Sequence, residues 1–177
     1  MKKYEFTGET KEIKLLFRTA VLHRIRATVS FGFVKIGDLG GWIEKEENLS
    51  HEGKAWVWGN AEVCGDAKVW GNAKVCGDAK VCGDAEVCGD AKVFSASHVL
   101  VIGAIGSRND FTTFYRDKDN EITVKCGCFL GKIDRFLEKV TQTHGDSKYA
   151  LVYRAAVEVA KLQIDLSGEA PKDADEE

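Results

Sequence analysis

Residues 55–96 read AWVWGN, AEVCGD, AKVWGN, AKVCGD, AKVCGD, AEVCGD, AKVFSA, seven hexapeptides head to tail. The first position is alanine throughout, and the third is Val57, Val63, Val69, Val75, Val81, Val87 or Val93. Alternation along a short extended segment places the alanine and the valine on one side, facing inward. Glycine followed by Asn or Asp then supplies a turn, because these residues tolerate left-handed backbone angles. Three short strands and three turns would close a triangular coil of about eighteen residues, with coils stacked at roughly 4.8 Å. The pattern therefore predicts a mainly β fold, a left-handed parallel β-helix.

Residues eighteen apart should then lie over one another. Glu62 falls on Lys80 and Lys68 on Glu86, both opposite-charge pairs, whereas Lys74 falls on Lys92. Trp58, Cys76 and Phe94 form one outward column, Cys64 and Cys82 a second, and Trp70 and Cys88 a third. Exposed aromatic residues on a prism suit subunit packing, so Trp58, Cys76, Phe94 and Trp70 are expected at the interface of a homo-oligomer, a trimer. Ser97 and Gly103 continue the small position, and Val99 and Ile105 the aliphatic one. The β-helix is thus expected over 37–108, with a degenerate first coil holding Leu39, Ile43 and Leu49.

The flanks read differently. Residues 1–36 are rich in apolar and β-branched residues and form an N-terminal β cap over the open end. In 109–165, Phe111–Arg116 and Ile122–Phe129 flank the turn Asp117-Lys118-Asp119-Asn120, a β-hairpin. An amphipathic helix follows, with Ile133, Phe136, Leu137 and Val140 on one face. A second spans roughly Lys148 to Ile164, with Tyr149, Tyr153, Val157, Ala160 and Leu162 or Ile164 inward. Residues 166–177 form an acidic tail with the only proline, expected to be disordered.

LHRIRA (22–27), GDLGGWIEKEENLS (37–50) and the repeats resemble a group of phage and prophage hexapeptide-repeat proteins of hypothetical status. GSRND (106–110) and CGCFLGKIDRFLEKV (126–140) resemble the C-terminal module often joined to them. The resemblance implies a small phage protein acting on host machinery, and brings no catalytic residues with it.

Composition excludes several classes. A net charge of −3 over 177 residues, with no long run of Lys or Arg, gives no global attraction to nucleic acid. The start lacks the apolar core of a signal peptide, and no apolar stretch approaches membrane-spanning length. The expected location is the host cytosol, with the six cysteines as free thiols. No cofactor and no metal site is expected: the four histidines, His23, His51, His98 and His144, lie in different segments, and Cys126-Gly127-Cys128 lacks a second pair.

Two polar clusters suit a ligand. Ser107, Arg108, Asn109, Asp110, Thr112 and Arg116 gather where the repeats end, and Arg and hydroxyl groups beside a glycine fit a phosphate or carboxylate. Arg24 and Arg26 share a strand face in the N-terminal cap. The leading expectation is a non-enzymatic binding protein that sequesters a small anionic ligand, nucleotide-like ones included, or blocks a host protein in counter-defence. The alternatives are a hexapeptide-repeat acyltransferase using His98 or His51 as general base, and a purely structural trimeric assembly module.

Overall fold

The alanine and valine of every hexapeptide do face inward. All fourteen are at most 2% exposed and belong to one core. The computed structural model describes residues 2–169. Each repeat gives a strand of only two residues, because glycine takes a positive φ at the next turn, +69° at Gly65 and +73° at Gly71. These strands are β4 (Trp56–Val57), β5 (Glu62–Val63), β6 (Lys68–Val69), β7 (Lys74–Val75), β8 (Lys80–Val81), β9 (Glu86–Val87) and β10 (Lys92–Val93). They pair in parallel with residues eighteen apart: Val57 with Val75 and Val75 with Val93, Val63 with Val81, Val69 with Val87. Backbone bonds such as Cys64 N to Val81 O at 3.0 Å close the ladders.

The expected single left-handed parallel β-helix does not describe the molecule. The strands form separate small sheets of five, three, two and four strands, and two helices follow the last strand. The five-stranded sheet is mixed. β1 (Tyr4–Lys14) and β2 (Thr19–Ala27) form an antiparallel hairpin, β2 pairs antiparallel with β3 (Leu39–Ile43), and β3 pairs in parallel with β5. β3 thus joins two pairing modes, and the N-terminal hairpin continues the sheet while Tyr4, Ile25, Ala27 and Val34 pack into the repeat core. Ile43 and Leu49 lie inward beside Val63 and Val69, twenty residues away, while Leu39 is half exposed.

The repeat does not continue past residue 96. Ala96–His98 is a 3₁₀ turn, and β11 (Val99–Ile105) runs antiparallel to β12 (Asp110–Arg116). Longer β-branched runs favour an antiparallel ladder once the Gly-Asn/Asp turns stop. β13 (Ile122–Cys126) and β14 (Phe129–Lys132) complete this sheet; the expected second hairpin strand is split by Gly127-Cys128. Val99 packs on the repeat core and Ile105 on a second core. That second core is built with α1 (Ile133–His144) and α2 (Lys148–Gln163), around Phe136, Val140, Tyr153, Val157, Ala160 and Ile164. Tyr149, expected inward, is exposed, and of the alternatives Leu162 and Ile164 it is Ile164 that lies inward. Residues 166–168 are held against this sheet, through Asn120 Nδ2 to Leu166 O at 2.9 Å and Arg116 Nη2 to Gly168 O. The rest of the expected tail, from 170 on, lies outside the described residues.

The cysteines also differ from expectation. Cys64 and Cys82 form a disulfide across adjacent β5 and β8, so they are not free thiols. Cys64 is covered by Ala20 and Leu22 of the hairpin. Cys88 is buried too, under Tyr115, whose phenol donates to the Cys88 carbonyl at 2.9 Å. Among the described residues no helix is long and apolar enough to cross a membrane.

The disulfide closes a loop of eighteen residues, which corresponds to about 3 kcal/mol of stability in the chain-entropy account. Reduction, or Cys64→Ala with Cys82→Ala, should lower Tm by roughly 6–12 °C in calorimetry; an unchanged Tm would show that the bond does not restrain the unfolded chain.

Lys3 gives a pH test. It is 3% exposed, donates to Ala55 O at 2.8 Å and sits 4.8 Å from the Phe31 ring centre. Burial lowers its pKa from 10.5 to about 8. Between those values the unfolded chain binds a proton that the folded chain lacks, so stability rises with pH across that window and is flat below it. Between urea titrations at pH 7.5 and 9.5 Lys3 should add about 2 kcal/mol of stability, read as the wild type against Lys3→Met. Lys3→Met should lose the rise. Cys88, whose thiol burial pushes up, opposes this trend as pH nears 9, and Tyr4 and Tyr115, whose pKa values burial also raises, as pH nears 10.

Candidate functional site

The turn joining β11 to β12 brings Ser107, Arg108 and Asp110 to the mouth of a cavity of about 330 Å³. Gly106 and Asn109 take positive φ values of 73° and 52°, and Asn109 N donates to Gly106 O at 3.3 Å, so the turn is tight. Opposite it lies the β13–β14 turn, Cys126-Gly127-Cys128, with Gly127 at φ +54°. The Arg108 guanidinium lies over this turn, 3.3 Å from where a Gly127 side chain would begin. The third wall is α1, which presents Phe136, Lys139, Val140, Thr143 and His144. Their spacing of three and four residues puts them on one helical face. Tyr153 of α2 closes the back.

The walls are aromatic and the mouth is charged. Tyr153 meets Phe136 edge-on at 5.6 Å and stacks with His144 at 5.8 Å. Phe129 lies 5.3 Å from Phe136. The Tyr153 hydroxyl is 4.0 Å from Cys126 Sγ, and burial, followed by the neighbouring thiol, pushes its pKa up to about 12. The phenol is therefore a proton donor at neutral pH. Among the described residues neither Arg108 nor Lys139 has an ion-pair or hydrogen-bond partner, and Asp110 is the one carboxylate lining the cavity. The arrangement presents two unpaired cations beside an aromatic pocket.

The other expected ligand residues lie elsewhere. Asn109 shapes the turn without lining the cavity. Thr112 and its neighbour Thr113 are buried: Thr112 Oγ1 donates to Cys126 Sγ at 3.3 Å, and Thr113 Oγ1 accepts from Glu86 N at 2.9 Å. Arg116 stands at the far end of β12, stacked 4.7 Å over Phe94. The strand alternation that gathers residues on one face also carries them along its length, so 108 and 116 separate. Arg26 is occupied by Glu5, at 2.6 and 3.1 Å, and Arg24 lies over Trp42 at 5.2 Å. These two do not form an open anion site.

The aromatic columns are partly covered within the chain. Phe94 is 4.2 Å from His98 and lies beneath Arg116, Trp70 faces Lys125 Nζ at 5.9 Å, and Trp58 meets Trp56 edge-on at 6.4 Å. Cys76 is half buried. His98, expected on an outward position, is 2% exposed; its Nδ1 accepts from Phe94 N, and burial lowers its pKa. His51 Nδ1 accepts from Lys3 N at 3.1 Å, with the ring stacked on Tyr4. Both imidazoles are used as acceptors of backbone N–H groups. Asp117, Asp119 and Glu121 cluster closely, but Lys132 Nζ lies 2.5, 3.4 and 2.6 Å from their carboxylates, where a cation would sit.

Sequence reasoning found the turn residues of the cavity and missed its helical wall. Lys139, Thr143 and His144 carry the signal, a polar extension of the Phe136–Val140 stripe.

A Gly106 side chain would begin 1.9 Å from the Tyr153 hydroxyl, at a backbone angle that strains any other residue. Gly106→Ala should therefore displace Tyr153 from the cavity and cost about 1–3 kcal/mol. A Tm lowered by roughly 2–12 °C checks this; an unchanged Tm would mean the turn rearranges freely.

No protein-family model matches the chain, and no curated protein matches it.

Proposed function

We propose that the chain is a non-enzymatic binding protein that sequesters a small anionic ligand in the cavity formed by Ser107, Arg108, the Cys126–Cys128 turn, α1 and Tyr153. The observation that carries this reading is the pair of unpaired cations, Arg108 and Lys139, at the mouth of an aromatic-walled cavity. A guanidinium is a planar, permanently charged donor that grips phosphate or carboxylate through two parallel bonds. The apolar interior, with Phe129, Phe136 and Val140, favours a ligand that also carries a flat ring. A volume near 330 Å³ lies at the small end for ligand cavities, which fits a mononucleotide better than a dinucleotide.

Tyr153 adds a donor at the rear, and Ser107 and Thr143 add hydroxyls near the charges. Asp110 suits a ligand hydroxyl or amino group. The acyltransferase alternative is disfavoured by its own candidates, since His98 is buried and His51 is half buried, with each Nδ1 already taken.

A fluorescent nucleoside monophosphate analogue tests the reading. The wild type should bind it saturably, and ligand released from heat-denatured protein should be visible by mass spectrometry. Arg108→Ala should lose about 1.5–3 kcal/mol of binding, tenfold to over a hundredfold in Kd. Its Tm should stay within about 2 °C of the wild type, because the side chain is exposed. Unchanged affinity in Arg108→Ala would remove this residue from the site.

A further inference from the structure

The two helices differ in their outer faces. α1 turns Asp134, Arg135, Glu138 and Gln142 to solvent. α2 turns out Leu151, Val152, Ala155, Val159 and Leu162, which recur at intervals of three and four residues and form one apolar stripe opposite its buried side. Leu162 is 89% exposed and Leu151 59%. A helix apolar on all sides ordinarily lies buried. The charged residues of α2 are engaged away from the stripe: Arg154 Nη1 lies 3.3 Å from Asp146 and its Nη2 donates to Thr141 Oγ1 of α1, and Lys161 pairs with Glu158 at 2.9 Å.

α2 lies along β11 and runs antiparallel to it. Asp165 N, just past the helix, donates to Ser97 O at 3.1 Å, and Tyr153, in the first half of the helix, reaches Gly106 at the other end of the strand. β11 is an edge strand: it pairs with β12 on one side and, among the described residues, with no strand on the other. Val99–Ile105 holds no charged residue and no proline, the usual guards of an edge. Its ladder with β12 is regular from Val99 to Ile102. The opposite edge of the sheet, β14, is four residues long and ends in Lys132. An open strand edge and an apolar helix stripe thus run side by side.

We infer that a second copy of this chain covers this strip, in a two-fold dimer in which β11 pairs antiparallel with β11 of the copy and the two α2 stripes pack together. A strand edge beside a helix stripe matches its own copy when turned about a two-fold axis. The pairing continues the four-stranded sheet into one of eight and sets the two helices on the same face. Paired strands lie about 4.8 Å apart and helices over them about 10 Å apart, which is helix-packing distance. The stripe itself is uncharged, so it suits neither nucleic acid nor an anionic membrane surface, and two copies meet on it without like-charge repulsion. The strip offers on the order of 600 Å² per copy, which brings the pair to the low end of the roughly 1,200–2,000 Å² of specific interfaces and fits a micromolar Kd.

The experiment is sedimentation equilibrium of the full chain from about 1 to about 100 µM, read against the monomer mass of 19.5 kDa. The wild type should approach twice that mass at the upper concentration. Leu151→Glu with Leu162→Glu, both at exposed positions, should raise the dimer Kd at least about a hundredfold and leave the far-UV circular dichroism unchanged, because a carboxylate is costly in the interface and not in the monomer's solvent. Hydrogen exchange reads the strand edge without any variant: amides of β11 on the edge facing the copy, within Val99–Ile102, should exchange at least about threefold more slowly at the upper concentration than at the lower. Should the double variant lose its native dichroism, the exchange result decides. The inference is overturned if the wild type stays monomeric or forms a trimer, if the natively folded double variant dimerises like the wild type, or if exchange within Val99–Ile102 does not change with concentration.

Discussion

The structure rests on the inward pairing of valine over valine at intervals of eighteen residues. Each repeat strand has two residues and could not persist alone. Its backbone groups are satisfied chiefly by the strands one coil before and after, and its valine packs on theirs. Burial of fourteen Ala and Val side chains supplies the common drive. The glycines reset the direction of the chain between strands, and without their positive φ values the valines would not return to the same interior. Everything else attaches to this frame: the N-terminal hairpin to the edge of β3, the disulfide across β5 and β8, and β12 over β9 and β10.

The sequence was most legible where it repeats. Inward Ala and Val, the glycine turns and the eighteen-residue pairing all follow from alternation and from the tolerance of glycine and Asn/Asp for left-handed angles. The overall architecture was not legible in the same way, because pairing mode at the ends depends on partners distant in sequence. β3 accepts an antiparallel neighbour on one side and a parallel one on the other, and nothing in LGGWI announces this. Val99 and Ile105 kept the repeat's spacing, yet the intervening turn residues were gone, and the segment joined a different sheet. The disulfide was hidden by the repeat itself, since the four repeat cysteines, Cys64, Cys76, Cys82 and Cys88, occupy the same position and only the fold shows which columns are covered.

The cavity near Arg108 shows the same division. Its turn residues were legible because Gly106 and the run of polar side chains after it mark a local break. Its helical wall was not, because Phe136, Val140 and Tyr153 read as core residues, which they also are. Arg116 was grouped with Arg108 by proximity in sequence, while Arg108 sits in the turn before β12 and Arg116 is the last residue of that strand, whose seven residues span roughly 20 Å.

β12 is the strand that both cores share. Phe114 belongs to the α1–α2 side and Tyr115 to the repeat side, with Thr113 bonded to the repeat backbone at Glu86. A slip of one residue would exchange the faces. By size alone the exchange is mild, since Phe and Tyr differ by one oxygen. By hydrogen bonding it is not: the Cys88 carbonyl would lose its donor, and a phenol would enter an apolar core without an acceptor. The hydroxyl of Tyr115 therefore works as a proofreading mark, distinguishing two alignments that shape would nearly confuse, and so keeps each face of the strand on its own core.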